Sequence, residues 1–409
     1  MLVFIDNCTG IGGYTSMVTN IALELYAKGI KCKILCSTTS VLYKNLNNLK
    51  IDFIQINPLE IGRLSKYIDE DDVIVSGILP LSILEELYSV NPFFCFYSLA
   101  PDILIRIQKD TDFLTKNSFN QLLFELNSKN GLYFMDGSGF STVESFFKLK
   151  QFIPKYLPIP ISQNNIINRY KIKDSCKIIT YIGRGVKWKI FPVKKLILDL
   201  NKAGYSGEIH IITDSDNLFR EMLDPILNEK IVIKYIIGLY GSSLDDYLIK
   251  YSDINVAMGM SALESAKLGI PTILVDMSYK DYPDSYFYRW LFQNNSTFNL
   301  GFLLEENIPN VGSPIDKILD SFKRKSYVSE ISLSCFEYVY KNHSSKAVAE
   351  QFIRLSNNIE FKVNDFRKYN FFKYYVRRKK VSSFIKKHFL YLYLMLVKIY
   401  YRIKKIKNN

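Results

Sequence analysis

The chain of 409 residues has only three histidines and six cysteines, and its one long apolar run, 389–397, covers nine residues. Each shortage excludes something. About 20 consecutive apolar residues are needed to cross a bilayer, so that run does not span one. The cysteines (8, 32, 36, 95, 176 and 335) are scattered, and no His/Cys/Asp cluster has the spacing of a metal site. Cys32 and Cys36 sit in a β-branched run and read as buried free thiols, in keeping with a reducing cytoplasm. His210 alternates within a strand-like stretch and reads as structural, while His343 and His388 look peripheral. No Ser-His-Asp arrangement has support. Leader segments of the secretory type are not in evidence, since the chain opens directly on an apolar strand, 2–6. Acidic residues are missing altogether from 367–409, where 14 Lys/Arg stand; removing those from the total leaves 39 basic against 40 acidic residues. The body is neutral, and the tail carries the net charge of +13.

What is present is an alternation of apolar strands and amphipathic helices, repeated twice. In the first half, strands fit at 2–6, 31–36, 52–56, 72–76 and 93–98, with helices at 14–28, 41–48, 58–68 and 80–90. A further strand reads at 132–135 and a helix from Ser141. In the second half, strands fit at 176–181, 208–213, 231–236, 253–258 and 272–275. Helices fall at 192–202, 217–228, 244–250 and 262–268, and closing helices at 314–323, 332–341 and 345–357. Such alternation produces parallel βαβ units with helices on both sheet faces. The proline-bearing stretch 151–162 reads as the link between two halves. The organisation expected is α/β: a Rossmann-like domain over 1–160, a second over 161–345, a closing helix at 346–365 and a basic tail at 366–409. Two such sheets face each other across a cleft at the carboxyl ends of their strands.

Three turns carry chemistry. The segment 251–276 reads strand, tight turn, helix, strand. Gly259 makes the turn, Ser261 is the expected N-cap, and Glu264 falls at the capping-box position three residues on. Capping alone would account for Glu264; so would a carboxylate aimed at a ligand above the sheet edge. The turn 183–189 places Arg184 and Lys189 five residues apart at a strand-to-helix junction, where anions bind. Gly183 loosens this turn. The turn 7–16 contains Gly10, Gly12 and Gly13, which allow close backbone approach, followed by Thr15 and Ser16 at a helix start. It lacks the GxGxxG spacing, and Cys36, Ser37 and Thr38 stand where a dinucleotide fold would place its ribose carboxylate.

The tail interleaves Lys and Arg with Phe, Tyr and Leu. This suits a basic amphipathic helix lying in a membrane interface, each cation adding about 1 kcal/mol near an anionic leaflet. Nucleic acid is the competing partner, disfavoured because the apolar run would be poor on a hydrated phosphate backbone.

Together these segments resemble GT-B glycosyltransferases, above all the large retaining family that uses nucleotide-sugar donors. The resemblance covers about residues 1–357, through GRGVKWK (183–189), the run 244–276 and, more loosely, GIGGYTS (10–16). It implies two Rossmann-like domains. Arg184 and Lys189 would bind the donor diphosphate, and Glu264 the ribose hydroxyls. Gly259, Met260 and Ser261 would meet sugar and phosphate, and Gly12, Gly13 and Gly183 would line the donor site. Arg184, Lys189 and Glu264 are the expected catalytic set. No metal or cofactor is implied; the donor, with UDP-sugar favoured, is a substrate. This sequence departs from the family at three places. Val256 stands where a second glutamate is usual, Ile190 follows the lysine in place of glycine, and the first domain offers no histidine to the sugar.

The reaction implied is sugar transfer to an acceptor on the first domain. Arg184, Lys189 and the backbone amides of 12–16 would stabilise the departing diphosphate. An inverting version would need a first-domain carboxylate, for which Asp102 and Asp136 are available. With the tail, the reading extends to a lipid-linked or other oligosaccharide acceptor in bacterial surface polysaccharide assembly (capsule or lipopolysaccharide), on the cytoplasmic face of the plasma membrane. Alternatives are a non-catalytic nucleotide-binding scaffold, a nucleotide-sugar epimerase or a polyol-phosphate transferase on the same fold. An NAD-dependent oxidoreductase is disfavoured by the glycine spacing.

Overall fold

A computed structural model describes residues 1–5, 13–37, 39–49, 51–55, 64–77, 81–110, 115–162, 167–173, 175–293, 296–304 and 311–369. The expected glycines 10 and 12 and the tail from 370 onward lie outside the described residues.

The first sheet contains β1 (Leu2–Ile5), β2 (Cys32–Cys36), β3 (Asp52–Gln55), β4 (Val73–Ser76), β5 (Phe93–Ser98) and β6 (Leu132–Phe134), all parallel in the order β3-β2-β1-β4-β5-β6. Its helices are α1 (Gly13–Ala27), α2 (Val41–Leu46), α3 (Leu81–Glu86), α4 (Ile103–Asp110), α5 (Lys116–Ser128) and α6 (Gly137–Phe147). The second sheet contains β7 (Ile178–Ile182), β8 (Gly207–Thr213), β9 (Ile231–Ile237), β10 (Ile254–Ala257), β11 (Thr272–Leu274) and β12 (Arg289–Trp290). Read from β9 to β12, its order β9-β8-β7-β10-β11-β12 repeats that of the first, with β12 antiparallel. The helices are α7 (Lys187–Lys202), α8 (Asn217–Leu223), α9 (Gly241–Tyr251), α10 (Met260–Ala266), α11 (Ile315–Ser321), α12 (Lys325–His343) and α13 (Ser345–Ser356). Strands β1, β4 and β10 are buried along their whole length, as expected when helices cover both faces of a parallel sheet. In both sheets the order reverses beside the first strand, which opens a crevice there at the carboxyl ends.

Several helices begin earlier than their sequences suggest; α9, for one, starts at Gly241 rather than 244. α6 starts at Gly137, not Ser141, because Asp136 caps it: its Oδ1 accepts the Gly139 N–H at 2.8 Å. α7 starts at Lys187 rather than Pro192, and the proline lies inside the helix. Proline cannot donate to the carbonyl four residues back. That carbonyl, Trp188 O, accepts the Ser278 N–H at 3.4 Å instead. α12 starts at Lys325, not Ser332. Of the helix expected at 58–68, residues 58–63 are not described, and 64–66 form a 3-10 turn.

The chain passes between the two sheets twice, and the passages are tied together. The Ile161 N–H donates to His343 O at 2.6 Å, and the Ser345 N–H donates to Ile161 O at 2.7 Å. α13 then lies against the first sheet, with Phe352 edge-on to Phe4 and Tyr97 at centroid distances of 5.9 and 6.0 Å. The turn 363–369 continues there: Phe366 packs on Phe94 at 5.2 Å, and Tyr369 Oη donates to Glu125 Oε2 at 2.7 Å.

His343 is not peripheral but fully buried at the double crossing. Its Nδ1 lies 2.9 Å from Ile159 O, and its Nε2 3.4 Å from the Tyr338 hydroxyl. Burial pushes its pKa down to about 4, against the opposing pull of the Ile159 carbonyl. His210, by contrast, is the satisfied strand residue expected, between Glu208 Oε2 at 2.6 Å and the Tyr247 hydroxyl at 2.9 Å.

The His343 shift fixes a sign. The unfolded chain takes up this proton near pH 6.5, before the folded one does. The stability held by neutral His343 is therefore complete above that pH and is lost as pH falls toward 4, by about 3 kcal/mol in all. Denaturant titrations of the wild type and of His343→Asn, whose amide can still donate to Ile159 O, should show their stability difference shrinking by that amount between pH 7 and pH 4.

Candidate active site

α10 carries Glu264, and a buried polar chain holds this helix to the sheet. Thr180 Oγ1 donates to Asn255 Oδ1 at 3.0 Å, Asn255 Nδ2 donates to Ser265 Oγ at 2.8 Å, and Ser265 Oγ lies 2.9 Å from Thr272 Oγ1. The turn before it is two residues long, Met258 and Gly259. Gly259 adopts φ 63° and ψ −147°, a conformation suited to glycine, and its N–H donates to Leu300 O at 2.7 Å. Gly259 is the cap, so Ser261 is not: it lies in the first turn and makes no capping bond. The capping box does not form either. The Glu264 carboxylate instead takes the ammonium of Lys267, which also lies 3.0 Å from Asp245 Oδ1 on α9.

The short turn also accounts for Val256. That residue is buried within β10, opposite Tyr181 and Ile273. A carboxylate there would sit in the core, and two turn residues leave no loop to carry one into the crevice.

A cleft of about 230 Å³ lies between the two domains. Thr15, Ser16, Thr19 and Asn20 of α1 and Asn45 of α2 line it from one side, Met260 and Glu264 of α10 from the other. The structure thus brings the start of the first βα unit face to face with Glu264. Gly13 is the first residue of α1.

Arg184 and Lys189 are not in the lining of that cleft. They sit one strand over, Arg184 in the turn after β7 and Lys189 in the first turn of α7, and β7 pairs directly with β10. Gly183 continues the sheet edge by donating to Ile212 O at 3.1 Å. Gly185 passes so close to the next turn that a Cβ would lie 2.6 Å from Ser215 O, and its N–H donates to Asp214 Oδ1 at 2.9 Å. That N–H holds the Asp214 carboxyl below its usual range. Neither Arg184 nor Lys189 has a carboxylate partner among the described residues. Lys189 is half-buried in the first turn of α7, its ammonium 5.3 Å from the Trp188 ring centroid. Burial, and then the charge of Arg184, lower its pKa to about 8 against the pull of Asp214. Val186 caps α7 with no side-chain bond, and Lys187 adds a third cation. Cations repel the positive end of a helix dipole, so an anion bound among the three at this helix start would relieve that repulsion.

Asp136 and Asp102, the first-domain carboxylates, have other work. Asp136 is buried as the α6 cap, and Asp102 pairs with Arg106 at 3.0 Å on the surface. Sequence reasoning missed Lys267 and Asp245. Lys267 was legible as the i+3 neighbour of Glu264 on one helix face, but nothing local points to Asp245.

No family profile matches the sequence, and no curated protein resembles it in sequence. Among solved structures, a glycosyltransferase from Rickettsia africae is similar over 88% of this chain and 98% of its own, with a TM-score of 0.57 at 14% identity. HepE from Anabaena, solved with UDP and glucose, is similar over 86% and 98%, with a TM-score of 0.51 at 11% identity. The lipopolysaccharide outer core galactosyltransferase WaaB is similar over 87% and 98%, with a TM-score of 0.52 at 14% identity. These likenesses run through both sheets, and the chain has the GT-B fold: two Rossmann-like domains of one strand order, facing each other across a cleft.

Proposed function

We propose that this protein is a glycosyltransferase that moves a sugar from a nucleoside-diphosphate donor to an acceptor hydroxyl. The observation that carries the reading is the division of charge at the second sheet's carboxyl edge. Unpaired Arg184 and Lys189 stand after β7, and Glu264 stands after the adjacent β10, opposite the first domain. A nucleoside diphosphate has both complements, an anion for the cations and a ribose diol for the carboxylate. The donor lies on the second domain and the acceptor on the first. As the anomeric bond breaks, negative charge grows on the departing diphosphate, and Arg184 and Lys189 stabilise it. Removing one such group typically costs a factor of about 10²–10³ in turnover. HepE, solved with UDP, favours UDP as the donor nucleotide.

The acceptor we propose is a lipid-linked oligosaccharide of surface polysaccharide assembly, reached from the cytoplasmic face of the membrane. The tail supports this: its cations and apolar run suit an anionic interface. Residues 363–369 dock on the first domain at the amino end of β5, where the Val363 N–H donates to Pro92 O. No helix among the described residues is long and apolar enough to cross a membrane. A scaffold without turnover is the second reading, favoured by the missing second carboxylate at Val256.

Calorimetry against UDP, GDP, ADP and CMP should find one nucleoside diphosphate that binds, with binding abolished in both Arg184→Ala and Glu264→Ala. Binding without hydrolysis or transfer of any nucleotide sugar would favour the scaffold. The affinity should fall as pH rises above about 8, where free Lys189 loses the proton that the bound diphosphate requires; in Lys189→Met the affinity should be lower and this pH step absent. Deleting 370–409 should lower partition onto anionic vesicles at least tenfold and leave nucleotide binding unchanged; equal partition before and after deletion removes the tail from the account.

A further inference from the structure

Lys267 is among the largest fully buried side chains of the molecule, at 2% exposure, yet it carries a charge. An ammonium out of water must be paired, and this one is paired twice. Asp245 Oδ1 on α9 lies 3.0 Å away, and Glu264 Oε2 on its own helix is in contact. The Glu264 side chain remains 30% exposed and lines the interdomain cleft. One of its oxygens is therefore committed to Lys267, and no described residue donates to the other, Oε1.

We infer that Lys267, shared with Asp245, is a positioning residue that fixes Glu264 as an acceptor for a vicinal diol in the cleft. The inference rests on the donor reading above, with the ribose as that diol. The charge balance explains the arrangement. Two carboxylates around one ammonium leave one net negative charge, enough to attract hydroxyl donors, while the ammonium keeps the carboxylates from repelling each other. Its attachment to α9 as well as α10 also ties the Glu264 rotamer to the body of the domain. Without Lys267 the two carboxylates would face each other in a half-buried site, and Glu264 would turn away from the cleft.

The test compares two probes that differ in the diol. UDP carries the ribose, whereas inorganic pyrophosphate offers only the anion for Arg184 and Lys189. In Lys267→Met, UDP affinity should fall roughly tenfold or more, as for truncation of one partner of a buried charge pair. Pyrophosphate affinity should stay within about twofold of the wild type, because the helix and sheet that hold the cations are untouched. Adding Asp245→Asn to Lys267→Met removes the repulsion and should restore most of the UDP affinity. Lys267→Gln, which fills the same space with a polar group, serves if the methionine variant does not fold, with the same loss expected. Equal weakening of both probes, or no rescue by Asp245→Asn, would make Lys267 merely structural and overturn the inference, as would unchanged UDP binding. A wild type that binds pyrophosphate but not UDP would instead sink the donor reading itself.

Discussion

The two hydrogen bonds that lock Ile161 to the His343–Ser345 corner are the constraint on which the rest depends. A two-sheet protein with a single linker has domains free to swivel, whereas this chain crosses twice and the crossings are paired like two short strands. Both passages exclude water, and His343 serves them as a neutral donor to Ile159 O. The cleft takes its shape from this corner, since Ile161 and Ser162 line it together with α1, α2 and α10. The residues of the two domains that face each other across the cleft are thus set opposite by a backbone arrangement.

Within the second domain, sheet order does the sorting of charge. Because β7 and β10 are neighbours, the turn that ends in cations lies beside the turn that ends in a carboxylate, yet the two signs do not neutralise each other. Each is kept apart by local bonds. Asp214, the carboxylate nearest the cations, is occupied by the Gly185 N–H, and Glu264 is occupied by Lys267. On the donor reading proposed above, these are the positive and negative ends that a ligand with both anionic and hydroxyl groups would meet.

Much of this was legible in the sequence. Continuous apolar runs located eleven of the twelve strands described, because a strand buried on both faces needs no polar alternation. The turns at Arg184 and Gly259 were placed at the correct strand ends by their glycines. Helix starts were less legible. Asp136 caps α6, which starts four residues ahead of the expected Ser141, Gly259 takes the capping position expected of Ser261, and the carbonyl that Pro192 leaves inside α7 is taken by a distant N–H, that of Ser278. His343 sits in a polar stretch, KNHSSK, that gives no hint of burial; its environment is made by a segment 184 residues away. Asp245 and Lys267 belong to different helices, and their pairing exists only in three dimensions.

The return of α13 to the first sheet makes that domain discontinuous in the chain. Phe4 and Tyr97 find their ring partner in Phe352, which the ribosome adds only after the whole second sheet has been made. The contiguous second domain has all its strands first, while the first domain waits with part of its core uncovered. Order of synthesis and order of completion are therefore reversed, and the half of the molecule that begins the chain is the last to be finished.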